Sequence, residues 1–109
     1  MRDTTAGHTS QVEVSLSLED PSAPVISLAG ELDLASVEVT KSGIAAYLAA
    51  TRPSRVTFDL EKLTFMDSSG IALLVEVANE IGQVSLIHVA PIVYRVLEAG
   101  GLLEYFGLR

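Results

Sequence analysis

Leu63-Thr64-Phe65-Met66-Asp67-Ser68-Ser69-Gly70, running straight into Ile71-Ala72-Leu73-Leu74-Val75, is the stretch on which the reading of this chain turns. Three short polar residues in a row stand directly before an apolar segment, which is how a helix N-terminus looks in sequence. Past it, Ile71, Leu74, Val75, Ala78 and Ile81 form an inward stripe at helical spacing, Glu76, Asn79, Glu80 and Gln83 form a wet one, and Gly82 supplies the stop. Ahead of it, Val56-Thr57-Phe58-Asp59-Leu60 is a short apolar run rich in β-formers. A strand that feeds a helix through a polar turn is the repeating unit of an α/β sheet.

Working outward, Val12, Val14, Leu16 and Leu18 alternate with Gln11, Glu13, Ser15, Ser17 and Glu19, which predicts an edge strand with one wet face. Asp20-Pro21-Ser22 is turn chemistry, and Val25-Ile26-Ser27-Leu28-Ala29, closed by Gly30, predicts a more buried second strand paired with the first as a hairpin. Ser36 is placed to cap a helix whose inner side is Val37, Ile44, Tyr47 and Leu48, and Thr51-Arg52-Pro53-Ser54 ends it. Val84-Ser85-Leu86-Ile87-His88-Val89 reads as the last strand. Pro91 opens a third helix with Ile92, Val93, Val96 and Leu97 inward and Gly100-Gly101 as terminator, followed by a short helical piece holding Leu102, Leu103 and Phe106.

The order β, β, α, β, α, β, α predicts an open four-stranded, mostly parallel sheet with an N-terminal hairpin, covered on one side by helices. Its core is expected to include Ile26, Leu28, Phe58, Leu60, Ile71, Leu74, Leu86 and Ile87. Residues 1–10 are polar and lack periodicity, so they read as a disordered tail, with a single domain over residues 11–109. In such sheets partners meet the loops at the carboxyl ends of the strands, here Gly30 to Asp33 and Thr64 to Ser69.

Composition narrows the function classes. Seven basic residues against fourteen acidic ones leave a net charge of -7, a field that repels nucleic-acid phosphates and anionic lipid. Without a single cysteine, disulfides, thiol catalysis and thiolate metal sites are excluded. No apolar run approaches the ~20 residues of a membrane span, and the first ten residues lack the apolar stretch of a secretory signal, so the expected location is the cytoplasm, without membrane insertion.

The turn at Asp67-Ser68-Ser69 supports two readings. Its residues simply cap the helix, or a serine there accepts phosphate, because unpaired amides and the positive end of the helix dipole favour an anion. Leu73 and Val77 likewise either extend an exposed partner-binding face beside Ser69 or pack beneath the first helix. Other chemistry finds little footing. Neither Lys41 nor Lys62 follows a glycine as a phosphate-binding loop requires, so no nucleotide cofactor is expected. His88 has no histidine partner at ligand spacing, so no metal is expected, and no glycine precedes Ser68 in the manner of a nucleophile elbow, so no enzyme activity is expected.

Two motifs carry a resemblance. Gly30-Glu31-Leu32-Asp33 resembles the loop after the second strand of the STAS family, specifically of its anti-sigma factor antagonists, and Leu63 to Gly70 resembles that family's phosphorylation loop. The resemblance spans roughly Val12 to Phe106. It implies a STAS fold and a binding protein rather than an enzyme. Ser68 is then the residue phosphorylated by an anti-sigma factor that is itself a serine kinase, and a phosphatase restores it. The partner-binding surface so implied comprises Glu31, Asp33, Asp67, Ser69 and Leu73, although Glu31 reads equally as a solvated charge. Family members usually continue into a further C-terminal helix beyond the point matching Phe106. A small STAS subunit of a lipid-transport ABC complex is the alternative, since it shares the fold.

Overall fold

The computed structural model describes residues 11–108, so the segment read as a tail, residues 1–10, lies outside them. The elements are β1 (Val12–Ser17), β2 (Val25–Leu32), α1 (Val37–Thr51), β3 (Val56–Met66), α2 (Ser68–Ile81), β4 (Val84–Ile87) and α3 (Pro91–Ala99). They build one four-stranded sheet in the order β1-β2-β3-β4, with β1 antiparallel to β2 and the remaining pairs parallel. The parallel neighbours are joined by α1 and α2, and crossovers of one hand put both helices on the same face.

The hairpin forms as expected. Asp20 accepts hydrogen bonds from the Ser22 hydroxyl at 2.8 Å and the Ser22 amide at 3.0 Å, which shape the turn and, with a smaller contribution from Arg55, hold the Asp20 carboxyl below its ordinary pKa. Helix α1 stops at Arg52, which takes the left-handed conformation with φ 46° and donates its amide to the Leu48 carbonyl at 2.8 Å, just before Pro53.

The largest departure from the sequence reading is β3. Polar Glu61-Lys62 looks like the end of a strand, yet the strand runs on to Met66. Its pairing with β2 slips twice: Ser27 faces Asp59, Ala29 faces Lys62, and Glu31 faces Phe65, so the offset grows from 32 to 33 to 34. Each slip is a one-residue bulge, and each returns the inward phase after three residues rather than two. Leu60, Leu63 and Met66 are therefore all buried in one core. Neither carboxyl-end loop begins where a five-residue strand would place it.

The core lies between the sheet and the helices, with Ile26, Leu28 and Leu32 from β2, Val56, Phe58 and Leu60 from β3, and Leu74, Val93 and Leu97 from α2 and α3. Three expected core positions are corrected. Ile87 is 36% exposed, because on the edge strand β4 Val84 and Leu86 point to the helices while Ile87 faces the uncovered side. Ile71 is half-buried against the core rather than within it, and Ile92 is exposed while Val93 and Leu97 are buried and Val96 packs beside them. The inward stripe of α2 is rotated toward Leu73, Leu74 and Val77. After α3 the chain runs in turns rather than a helix, with Phe106 buried and Leu102 and Leu103 half-buried.

Candidate functional site

The two loops singled out in sequence are brought side by side by the parallel pairing of β2 with β3. Leu32 and Met66 are register partners at the strand ends, and the amide of the next residue, Asp67, donates to the Leu32 carbonyl at 3.2 Å. Two residues earlier on the same strands, the Thr64 hydroxyl donates to the Gly30 carbonyl at 3.1 Å. Gly30 itself has φ 115°, and a Cβ there would fall 2.2 Å from the Gln11 carbonyl oxygen, so the approach of β1 requires glycine at that point.

The first loop braces itself. Ser36 accepts a hydrogen bond from the Asp33 amide at 3.1 Å and donates to the Glu31 carbonyl at 2.8 Å. The Asp33 carboxylate accepts from the amides of Ala35 at 3.0 Å and Ser36 at 3.2 Å, closing the turn that launches α1. Asp33 is therefore half-buried and shapes the loop, whereas Glu31 is exposed. Ser36 occupies the cap position of α1 without a side-chain bond into the helix, because its hydroxyl is spent on this loop.

The second loop is a single residue. Asp67 caps α2, its carboxylate accepting from the Ser69 amide at 2.8 Å, while its carbonyl accepts from Gly70 at 3.0 Å and Ile71 at 3.2 Å. Three of the first-turn amides, those of Ser69, Gly70 and Ile71, are thus engaged by Asp67. Ser68, the first residue of α2, is exposed, and Ser69 behind it is half-buried.

Leu73 is the sequence-assigned site residue that the structure removes from the surface. It is 2% exposed and belongs to the core, as does Val77, because the rotated stripe of α2 packs this side inward. The apolar surface near Ser68 comes from other residues. Leu34, 76% exposed, follows Asp33 in the first loop, and Phe65, 42% exposed, sits beside Glu31 on the adjoining strand. Neither was found in sequence: Leu34 lies just past the loop Gly30 to Asp33 that was singled out, and the outward direction of Phe65 depends on the second bulge. Between α1 and α2 runs a depression of about 200 Å³ lined by Leu34, Val37, Ser69, Ala72 and Leu73. An ion pair spans it, Lys41 Nζ to Glu76 Oε1 at 2.9 Å, and the hydrogen bond and charge of Glu76 raise the Lys41 pKa.

His88 lies away from this corner. It adopts φ 53° after β4 and its Nδ1 meets Asp59 Oδ1 at 3.2 Å. Glu61, through the first bulge, joins them, leaving ligating atoms of Asp59, Glu61 and His88 within 4.8 Å of one another. Spacing alone could not show that grouping. Asp59 already accepts from the Glu61 amide at 3.1 Å as well as meeting His88, which accounts for the cluster as a brace across β3 and β4. Among the described residues, no helix is long and apolar enough to cross a membrane.

Comparison with known proteins adds an independent line. The STAS domain family model matches residues 16–109. The anti-sigma F factor antagonist of Lysinibacillus sphaericus is 34% identical over 82 residues, which cover 72% of this chain and 70% of that protein. Among solved structures, the anti-sigma factor antagonist SpoIIAA in its unphosphorylated form superposes with a TM-score of 0.72 at 29% identity, covering 83% of this chain and 82% of that one. The Bacillus cell fate determinant SpoIIAA in its phosphorylated form superposes with a TM-score of 0.65 at 28% identity, covering 83% and 85%.

Proposed function

This chain belongs to the STAS-domain family, and from that membership we propose that it is an anti-sigma factor antagonist whose binding is switched at Ser68. The observation that carries the reading is the exposure of Ser68 at the head of α2, in the corner where the β2 and β3 ends are tied together. A relative of similar length is named for this role, and a structural relative is known in a phosphorylated form.

The unmodified serine presents a small neutral group, and the two loops that meet at its corner also expose Leu34 and Phe65, apolar side chains suited to the centre of a protein interface. In this state the protein captures the anti-sigma factor and frees the sigma factor. The anti-sigma factor, acting as a serine kinase, then places phosphate on Ser68. Because Asp67 already engages the amides of Ser69, Gly70 and Ile71, the phosphate gains little from the helix and projects toward the partner's surface. There it adds about -1.5 to -2 charges next to the carboxylate of Asp67, and repulsion and desolvation oppose docking. Each ~1.4 kcal/mol lost weakens binding tenfold, so release needs no refolding of this domain. A phosphatase resets the switch. The chain itself turns over no substrate, and nucleotide belongs to the kinase.

The test is affinity capture from the source cell with the unmodified protein, followed by phosphopeptide mapping after incubation with the captured kinase and ATP. The expected result is an anti-sigma factor in the eluate and phosphate on Ser68. Phosphate on another residue, or capture of a membrane permease with its ATPase in place of the kinase, would refute the reading.

A further inference from the structure

We infer that the outer edge of β1 is a self-association surface, on which a second copy of this chain pairs its own β1 antiparallel about Ser15. β1 ends the sheet, and among the described residues nothing pairs with its outer edge. Edge strands are commonly blunted by lysine, proline or a bulge. Val12–Ser17 contains no lysine or proline, and its pairing with β2 has no slip. Val14, Leu16 and Leu18 are 39%, 43% and 49% exposed. Their side of the strand is the helix side, since Val14 and Leu16 face the core residues Leu28 and Ile26, yet the helices do not reach over them.

Backbone direction and charge together select one register. The Gln11 carbonyl accepts from the Glu31 amide at 3.0 Å, so Gln11, Glu13, Ser15 and Ser17 turn their backbone groups to β2, and Val12, Val14 and Leu16 turn theirs outward. Two copies can bond only where outward residues meet. A centre at Glu13 sets that carboxylate against itself, and a centre at Leu16 sets Glu13 against Glu19. A centre at Val14 leaves Leu18 outside the pairing. The centre at Ser15 opposes Val14 to Leu16 twice, Val12 to Leu18 twice, and Glu13 to an uncharged Ser17. It also brings Leu18 of the second copy beside Val12, where a depression of about 290 Å³ between β1 and α1 is lined by Val12, Ala35, Val39 and Thr40. Val39, 79% exposed, stands at its rim with no apolar cover. The assembled form is a continuous eight-stranded sheet with both helix layers on one face, and both Ser68 corners lie off the seam.

Sedimentation and light scattering across about 1 µM to 1 mM, the range of weak specific pairs, should show the mass rising from 11.6 kDa toward twice that value. Leu16→Lys should move the midpoint at least tenfold. Val14→Pro removes only an outward amide and leaves the bonds to β2 intact, so it should abolish association while circular dichroism stays unchanged. Because the chain has no cysteine, Ser15→Cys reports the register directly. Opposed non-bonded residues lie about 4.5 Å apart at Cα, within disulfide range, so this variant should oxidise to a covalent dimer. Ser17→Cys, facing Glu13, should not. A mass of 11.6 kDa at every concentration, or equal cross-linking of the two cysteine variants, overturns the inference.

Discussion

Gly70 lies so close to Met66 that a Cβ at position 70 would stand 2.5 Å from the Met66 Cγ and 3.0 Å from the Leu32 side chain. Both neighbours are almost wholly buried at the ends of β3 and β2, so neither can move aside freely. Glycine here lets the first turn of α2 settle onto the strands and sets the height of Ser68. Gly70→Ala should lose about 1–3 kcal/mol through overpacking, offset by at most ~1 kcal/mol of helix propensity, and urea denaturation measures the net loss. The same variant should be phosphorylated more slowly than the parent.

Ser68→Ala should take up no phosphate from the cognate kinase yet bind it about as well as the unmodified protein, since only an exposed hydroxyl is lost. Ser68→Asp adds a single charge and fewer acceptor oxygens than phosphoserine, so it should weaken binding less than phosphorylation does. Ser69→Ala should still incorporate phosphate. Calorimetric titration and mass spectrometry of the three variants check this series.

Removing the cap separates its acceptor from its charge. Asp67→Ala should cost about 0.5–2 kcal/mol, because the Ser69 amide loses its partner, whereas Asp67→Asn retains an acceptor and should cost only a few tenths. Thermal unfolding of the pair distinguishes them.

Leu74, fully buried in α2, and Ile87, at the rim of β4, test the assignment of faces. Leu74→Ala should cost about 2–5 kcal/mol, and Ile87→Ala well under half of that, as expected for a residue on the uncovered side. Equal losses would contradict the one-sided layering.

The Tyr47 hydroxyl is buried with no hydrogen-bond partner among the described residues. An unpaired buried hydroxyl carries a penalty of about 1–3 kcal/mol, so Tyr47→Phe should leave stability unchanged or raise it by as much as ~1 kcal/mol. Denaturant midpoints at unchanged slope would show it.

Element order and type were legible because period and punctuation act locally: the alternation from Val12, the cap at Asp67, the stop at Gly82 and proline at the start of α3 each report on their own neighbourhood. The place of Ser68 at the start of a helix was legible for the same reason, whereas its reading as a phosphate acceptor came from the family resemblance. What escaped depends on pairing between strands. The two bulges are invisible in β3 alone, and with them went the length of the strand, the outward Phe65 and the Asp59–Glu61–His88 grouping. The inward rotation of Leu73 depends on where α2 sits over the sheet, which its own stripe, apolar through nearly half its circumference, left open between two faces.

The spatial order of the strands equals their order along the chain. A polypeptide emerging from the ribosome can therefore add each strand to the one before it, with no gap left in the sheet for a later segment to thread. The β2–β3 pair that frames Ser68 has all its residues synthesised before β4 begins, so it can form before the sheet is complete. The corner that carries Ser68 is also among the first pieces of tertiary structure that this domain is able to make as it is synthesised.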